Sequence, residues 1–178
     1  NNELNINDIE LHIDGPYGKP FNYNGYNKII LIAGGIGITP IHSIFDTLLS
    51  IAIKQENNIN IPTCDLIWIV KQPHILTIFN KTWIKYQSLK NLNNFTLNLF
   101  VTQYSNINNE QELIIPNSNN TTYKQGRPNW NTYLVSKLIN NKDNINLVFA
   151  CGPNNLMKEI EFLSTTNGAQ FHSESFEF

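Results

Sequence analysis

The stretch IILIAGGIGITPIHSIFDTLL, residues 29–49, decides the fold. Its first five residues, Ile29 to Ala33, are apolar and rich in β-branched side chains, which suits a strand buried on both faces of a parallel sheet. Ile41, Ile44, Phe45, Leu48 and Leu49 then fall on one helical face. Between strand and helix lies AGGIGITP, Ala33 to Pro40, where Gly34, Gly35 and Gly37 permit a sharp turn and a close approach of backbone to ligand. Thr39 reads as the helix N-cap and Pro40 as the first helical residue, so that free amides and the positive helix end would face a pyrophosphate. The spacing is GxGxxP rather than GxGxxG, and a tight strand-to-helix connection with no ligand uses the same letters.

Outward from this unit, LIWIV at Leu66 to Val70, TLNLFV at Thr96 to Val101 and NLVFA at Asn146 to Ala150 read as further buried strands. QFHSESF, Gln170 to Phe176, alternates and fits an edge strand. Leu156, Met157, Ile160 and Leu163 mark a second helix that would cover the sheet. Strands alternating with helices predict an α/β fold with a parallel sheet of about five strands. The span from Tyr104 to Asn129 is polar and reads as a long loop.

A chain of 178 residues sets one domain as the default. Twelve Lys plus Arg against 14 Asp plus Glu leave a formal charge of -2, which offers no general field for a nucleic-acid backbone. No stretch approaches the roughly 20 apolar residues of a membrane span, and the opening NNELNINDIE lacks the features of a signal peptide. Cys64 and Cys151 are far apart, without metal spacing, which suits a reducing compartment. The sequons at Asn80, Asn94, Asn119 and Asn120 are then products of Asn richness. His12, His42, His74 and His172 show no ligand spacing, and no metal is expected.

Several segments agree, in order, with one family. DGPYG at Asp14 to Gly18, AGGIGITP, WIVKQPHILTIF at Trp68 to Phe79, GRPNW at Gly126 to Trp130, CGP at Cys151 to Pro153 and FHSESF at Phe171 to Phe176 resemble the NAD-binding domain of the ferric reductase and NADPH oxidase superfamily, itself similar to ferredoxin-NADP reductase. The resemblance implies a Rossmann-like three-layer sandwich, with residues 1–25 connecting from a preceding flavin domain and 26–178 forming the NADP(H)-binding domain. It implies NADPH as cofactor, FAD held mainly by that preceding domain, and haem in a membrane part of the same polypeptide. The domain itself would lie at the cytoplasmic face of the membrane. Hydride would pass from NADPH to FAD, and electrons onward to a ferric chelate. The alternatives are dioxygen as acceptor, giving superoxide, or a soluble flavoprotein reductase.

The resemblance also implies roles for single residues. Lys71 ends the second strand, where a cation selects the 2′-phosphate of NADPH, and Arg127 would be the second cation; as isolated residues both also read as solvated surface charges. Gly152 would leave space for the nicotinamide, beside Pro153 and a catalytic Cys151, whose other reading is a small buried hydrophobe. Phe176 matches the aromatic that covers the flavin, and Phe178, two residues on, competes for that task. Glu174 would orient a polar group at the site or stand in solvent.

Overall fold

The computed structural model describes residues 21–54, 61–89, 94–103, 113–114, 121–138 and 145–174. Its strands are β1 (Lys28–Gly34), β2 (Thr63–Val70), β3 (Phe95–Val101), β4 (Leu113–Ile114), β5 (Thr122–Gln125), β6 (Asn146–Cys151) and β7 (Gln170–Glu174). Its α-helices are α1 (Ile38–Lys54), α2 (Asn80–Ser88), α3 (Trp130–Leu138) and α4 (Asn154–Thr166), with 3-10 turns at Gly35–Gly37 and Pro73–Phe79. The sheet order is β4-β5-β3-β2-β1-β6-β7. Every pairing is parallel except β4 with β5. After β1 the chain builds outward through β2 and β3, then returns to the other side of β1 with β6. A crevice therefore opens at the carboxyl ends of β1 and β6, where the strand order reverses.

Side-chain alternation along the strands divides the core into two layers. Ile29, Leu31, Ala33, Leu66, Trp68 and Phe149 face the layer filled by Ile41, Phe45, Leu48 and Leu49 of α1 and Trp83 of α2. Ile30, Ile32, Ile67, Ile69 and Val148 face the opposite layer, filled by Leu134 of α3 and Ile160 and Leu163 of α4. The result is the α/β fold with a parallel sheet that the apolar runs predict and the three-layer sandwich that the family resemblance implies, and Ile41, Ile44, Phe45, Leu48 and Leu49 bury the face that their spacing predicts.

Three expectations are corrected. The polar span read as a loop holds β4 and β5, and Tyr123 of β5 is buried because its strand pairs in parallel with β3. The unit Gly35–Lys54 is long and apolar enough to cross a bilayer by length and composition, although no such stretch was expected. In this fold Ile38, Ile41, Ile44, Phe45, Leu48, Leu49 and Ala52 of this unit are buried in the layer that covers the sheet. Thr39 is not the N-cap and Pro40 is not the first helical residue, since helical turns begin at Gly35 and run into α1. Pro40 has no N–H to offer the carbonyl four residues back, and the Thr39 hydroxyl donates to that carbonyl, of Ile36, at 3.1 Å instead.

Two polar clusters fasten these elements to one another. At the amino-terminal rim, Asp65 is 5% exposed, accepts hydrogen bonds from Lys137 Nζ at 2.9 Å and from the Thr96 hydroxyl, and forms an ion pair with Lys28 Nζ at 3.4 Å. Burial raises its pKa, but the Thr96 hydrogen bond and the charge and hydrogen bond of Lys137 outweigh this, leaving the carboxyl below its usual range. Between α1 and α2, Asp46 accepts Lys85 Nζ at 2.6 Å and the Thr82 hydroxyl at 3.1 Å, and His42 Nε2 lies 2.8 Å from the same hydroxyl. Because Thr82 gives its proton to Asp46, His42 is the donor to Thr82.

Candidate functional site

A cleft of about 1000 Å³ lies along the carboxyl rim of the sheet. Gly34, Gly35, Gly37, Lys71, Arg127, Gly152 and Pro153 all line it, although they come from four separate segments of the chain. This rim is where open α/β sheets bind ligands, because strand ends and helix starts leave main-chain groups unpaired there.

The glycines do not share one task. Gly35 adopts φ +58°, and a Cβ built on it would meet nothing within 4 Å. Its side of the turn is open, as close approach of a ligand to main chain requires. Gly34 and Gly37 are instead pressed against the segment after β6. A Cβ at Gly34 would stand 2.8 Å from Pro153 Cδ, and one at Gly37 would stand 2.6 Å from the carbonyl carbon of Cys151 and collide with its oxygen. Gly152 returns the contact, since its Cβ would lie 3.1 Å from Gly34 Cα. Gly152 thus packs against the first turn while still lining the cleft. Two glycine-bearing segments interlock backbone to backbone and form one floor.

Lys71 follows β2 and is exposed, with its carbonyl held by the Gln103 amide at 2.8 Å. Arg127 follows Gly126, whose φ of +85° turns the chain out of β5. Arg127 is also exposed, and among the described residues neither cation forms an ion pair. Lys71 and Gln72 follow the end of β2 and are flanked in sequence by Val70 and Pro73, with no acidic neighbour among these four residues. One acid, Glu159 of α4, does line the cleft.

The structure does not bring every expected residue to this cleft. Cys151 is 1% exposed, and its side chain packs in the α1 layer. Burial raises its thiol pKa, and Glu174, its register partner across β6 and β7, adds to the shift. The thiol is therefore held neutral inside the core, which agrees with the alternative reading of a small buried hydrophobe. Pro40 and Glu174 line a second hollow of about 640 Å³ on the α1 side of β6 and β7, with Phe21, Phe149 and His172. Thr39 is exposed and lines neither space. Phe176 and Phe178 lie outside the described residues, as does the DGPYG segment.

Other cleft residues were not foreseen: Ile36, Thr102, Asn129, Asn131, Asn154 and Asn155. Asn129 belongs to GRPNW, and Asn154 and Asn155 directly follow CGP, so proximity to those motifs was the available signal. Thr102 is tied by its amide to the Val70 carbonyl at 2.9 Å, which sets the end of β3 beside that of β2.

The chain is similar to known proteins in both sequence and fold. It is 28% identical over 183 residues to NADPH oxidase 4 of Homo sapiens, covering 94% of this chain and 30% of that protein. It is 30% identical over 186 residues to a superoxide-generating NADPH oxidase heavy chain of Dictyostelium discoideum, covering 93% of this chain and 26% of that one. The chain thus spans less than a third of the length of these relatives. In fold it is similar to the cytochrome b5 reductase domain of Ulva prolifera nitrate reductase, with a TM-score of 0.56 at 14% identity, covering 84% of this chain and 49% of the other. Residues 26–165 match the family model described as the ferric reductase NAD binding domain. The glycine turn, the cleft at the strand-order reversal and this match over most of the sequence lead to one conclusion: the chain belongs to the ferric reductase NAD-binding domain family, a family of oxidoreductases.

Proposed function

We propose that the cleft binds NADPH and presents its nicotinamide to a flavin held by another part of a longer protein. The observation that carries this reading is the convergence of an open positive-φ turn at Gly35 with two exposed cations, Lys71 and Arg127, around a single cleft. The pyrophosphate would lie on the amides of the Gly34–Gly37 turn. The 2′-phosphate would lie between Lys71 and Arg127, and the nicotinamide would reach the floor formed by Gly152 and Pro153. When bound, NADPH supplies a hydride; the chain's own task is to bind, orient and exclude water. Cys151 then shapes that floor through its backbone, with its thiol shielded below.

Phe21 and Glu174 both line the second hollow. We place the flavin there, FAD being bound mainly by a preceding domain to which residues 1–25 connect. Glu174 would orient polar groups around it, and Phe176 or Phe178 would cover its ring. Residues 26–178 would form the NADP(H)-binding domain, lying at the cytoplasmic face of a membrane, with haem in a membrane part of the same polypeptide passing single electrons onward.

Two acceptors are open to such a chain. A ferric chelate fits the AGGIGITP and FHSESF segments. Dioxygen fits GRPNW and the similarity, along nearly the whole chain, to proteins named NADPH oxidases; this similarity favours dioxygen. Superoxide release against iron reduction by the full-length protein separates the two.

The cofactor assignment is tested by titrating the chain with NADPH and NADH, with and without Lys71→Ala plus Arg127→Ala. A hydrogen bond to a charged group contributes about 1.5–3 kcal/mol, so losing two cations predicts at least about a hundredfold weaker NADPH binding. NADH binding should change little. Equal losses for the two would refute the phosphate assignment.

A further inference from the structure

Trp68 lies beneath the glycine turn, and NADPH binding as proposed gives it no task. It sits in β2 opposite Ala33 of β1, is 0% exposed, and carries one N–H that needs a partner inside the core. That partner is the main-chain carbonyl of Gly35, 3.0 Å from Nε1, beyond the end of β1. The same carbonyl accepts the Ile38 amide. Two donors therefore hold it, one of them from the core.

In a trans peptide the carbonyl and the following N–H point in opposite directions. With the Gly35 carbonyl held by Trp68, the Ile36 amide of the same peptide unit points away from the indole, and Gly34, Gly35, Ile36 and Gly37 all line the cleft. Ile36 belongs to the first helical turn, where amides have no carbonyl behind them to bind. Glycine occupies positive and negative φ about equally. The value of +58° at Gly35 is therefore not fixed by the residue itself, and the indole is one of the two donors that hold its carbonyl in this orientation.

The anchor is itself rigidly held. Trp68 packs against Phe79 and Trp83 with centroids 5.7 and 6.2 Å away, and Phe79 stacks on His42 of α1 at 3.8 Å. Trp83 gives its own N–H to the Leu76 carbonyl at 2.7 Å, so it does not compete for Gly35.

We propose that Trp68 is a positioning residue for the dinucleotide: its indole N–H clamps the Gly35 carbonyl inward and so presents the Ile36 amide to the pyrophosphate. Trp68 touches no cofactor itself, and the inference rests on the cleft being the NADPH site.

The test replaces Trp68 with 3-benzothienylalanine, a ring of nearly the same shape with sulfur in place of N–H. The 178-residue chain and its variant are titrated with NADP⁺ and with adenosine 2′-monophosphate, which has the adenosine and 2′-phosphate but no pyrophosphate. NADP⁺ should bind about tenfold more weakly to the variant, the scale of one hydrogen bond, while adenosine 2′-monophosphate should bind equally to both. Undiminished NADP⁺ affinity, or an equal loss for both ligands, overturns the proposal. A second measurement needs no variant: in amide NMR spectra of the wild-type chain, the Ile36 proton should move downfield with NADP⁺ and stay in place with adenosine 2′-monophosphate. An unmoved Ile36 proton also overturns the clamp. A wild-type chain that binds NADP⁺ no tighter than adenosine 2′-monophosphate removes the NADPH reading and the clamp together.

Discussion

Gly37→Ala offers the sharpest test of the interlocked floor. The added methyl would lie 2.6 Å from the Cys151 carbonyl carbon and 3.0 Å from the Gly152 nitrogen, closer than real Cβ atoms come without displacement. All the obstructing atoms are backbone, and Cys151 is fixed in register with Ala33 on one side and Glu174 on the other. No flexible side chain can swing away. Overpacking of this kind costs roughly 1–3 kcal/mol, and a rigid obstacle places the change near about 3. For a domain of this size that predicts a Tm lower by roughly 6–12 °C. Circular-dichroism melts of the 178-residue chain read it directly. Gly35→Ala supplies the contrast, since its methyl meets nothing and its cost is the left-handed backbone, about 1–2 kcal/mol. A Gly37→Ala chain that melts within about 2 °C of wild type would refute the interlock.

Gly35→Val should abolish NADP⁺ binding, because it places a branched side chain on the open side of the turn; calorimetry showing near-normal affinity would contradict this. Asp65→Asn should cost about 3–5 kcal/mol by leaving Lys28 and Lys137 without their buried counter-charge, and denaturant titration near neutral pH measures the loss. The depressed pKa of Asp65 also fixes a sign. Its contribution is complete above the unfolded carboxyl value of about 4 and is lost as pH falls through the folded value, so the acid limb of the stability curve should flatten in Asp65→Asn. For His42, burial lowers the pKa against an opposing pull from Asp46, with Lys85 adding to the lowering. Protonation then favours the unfolded chain as pH drops below about 6.5. His42→Gln keeps a donor for Thr82 and should lose less stability than wild type on going from neutral to mildly acid pH; identical slopes would show that His42 does not drive that loss.

The parts of the molecule that were legible in the sequence are those where one physical demand dominates. Ile29 to Ala33, Leu66 to Val70 and Asn146 to Ala150 are buried on both faces, and unbroken apolar runs announce that directly. Arg127 and Lys71 were marked by motif and by position at a strand end, and the fold brings both to the same cleft as the glycines. What stayed hidden depended on partners distant in sequence. Thr122 to Gln125 has one buried side chain, Tyr123, and becomes a strand only because β3 offers an edge. The sequence did not show that α1 is preceded by a 3-10 turn, so Thr39 and Pro40 were placed at a boundary lying several residues earlier. The reach of Trp68 to Gly35 leaves no local trace, since it follows from the register of two strands whose paired residues lie more than 30 positions apart.

The Asp65 cluster and the cleft sit at opposite ends of the same strands, about 20 Å apart at the rise of a β-strand. This separation is a division of labour. If Lys71 and Arg127 hold the 2′-phosphate as proposed, coenzyme preference would be rewritten there without loosening the knot that fastens β1, β2 and α3 at the far end. A library that randomises the cleft cations should therefore yield folded variants in high proportion, while the same mutational load at the other pole would mostly be lost before any binding could be scored.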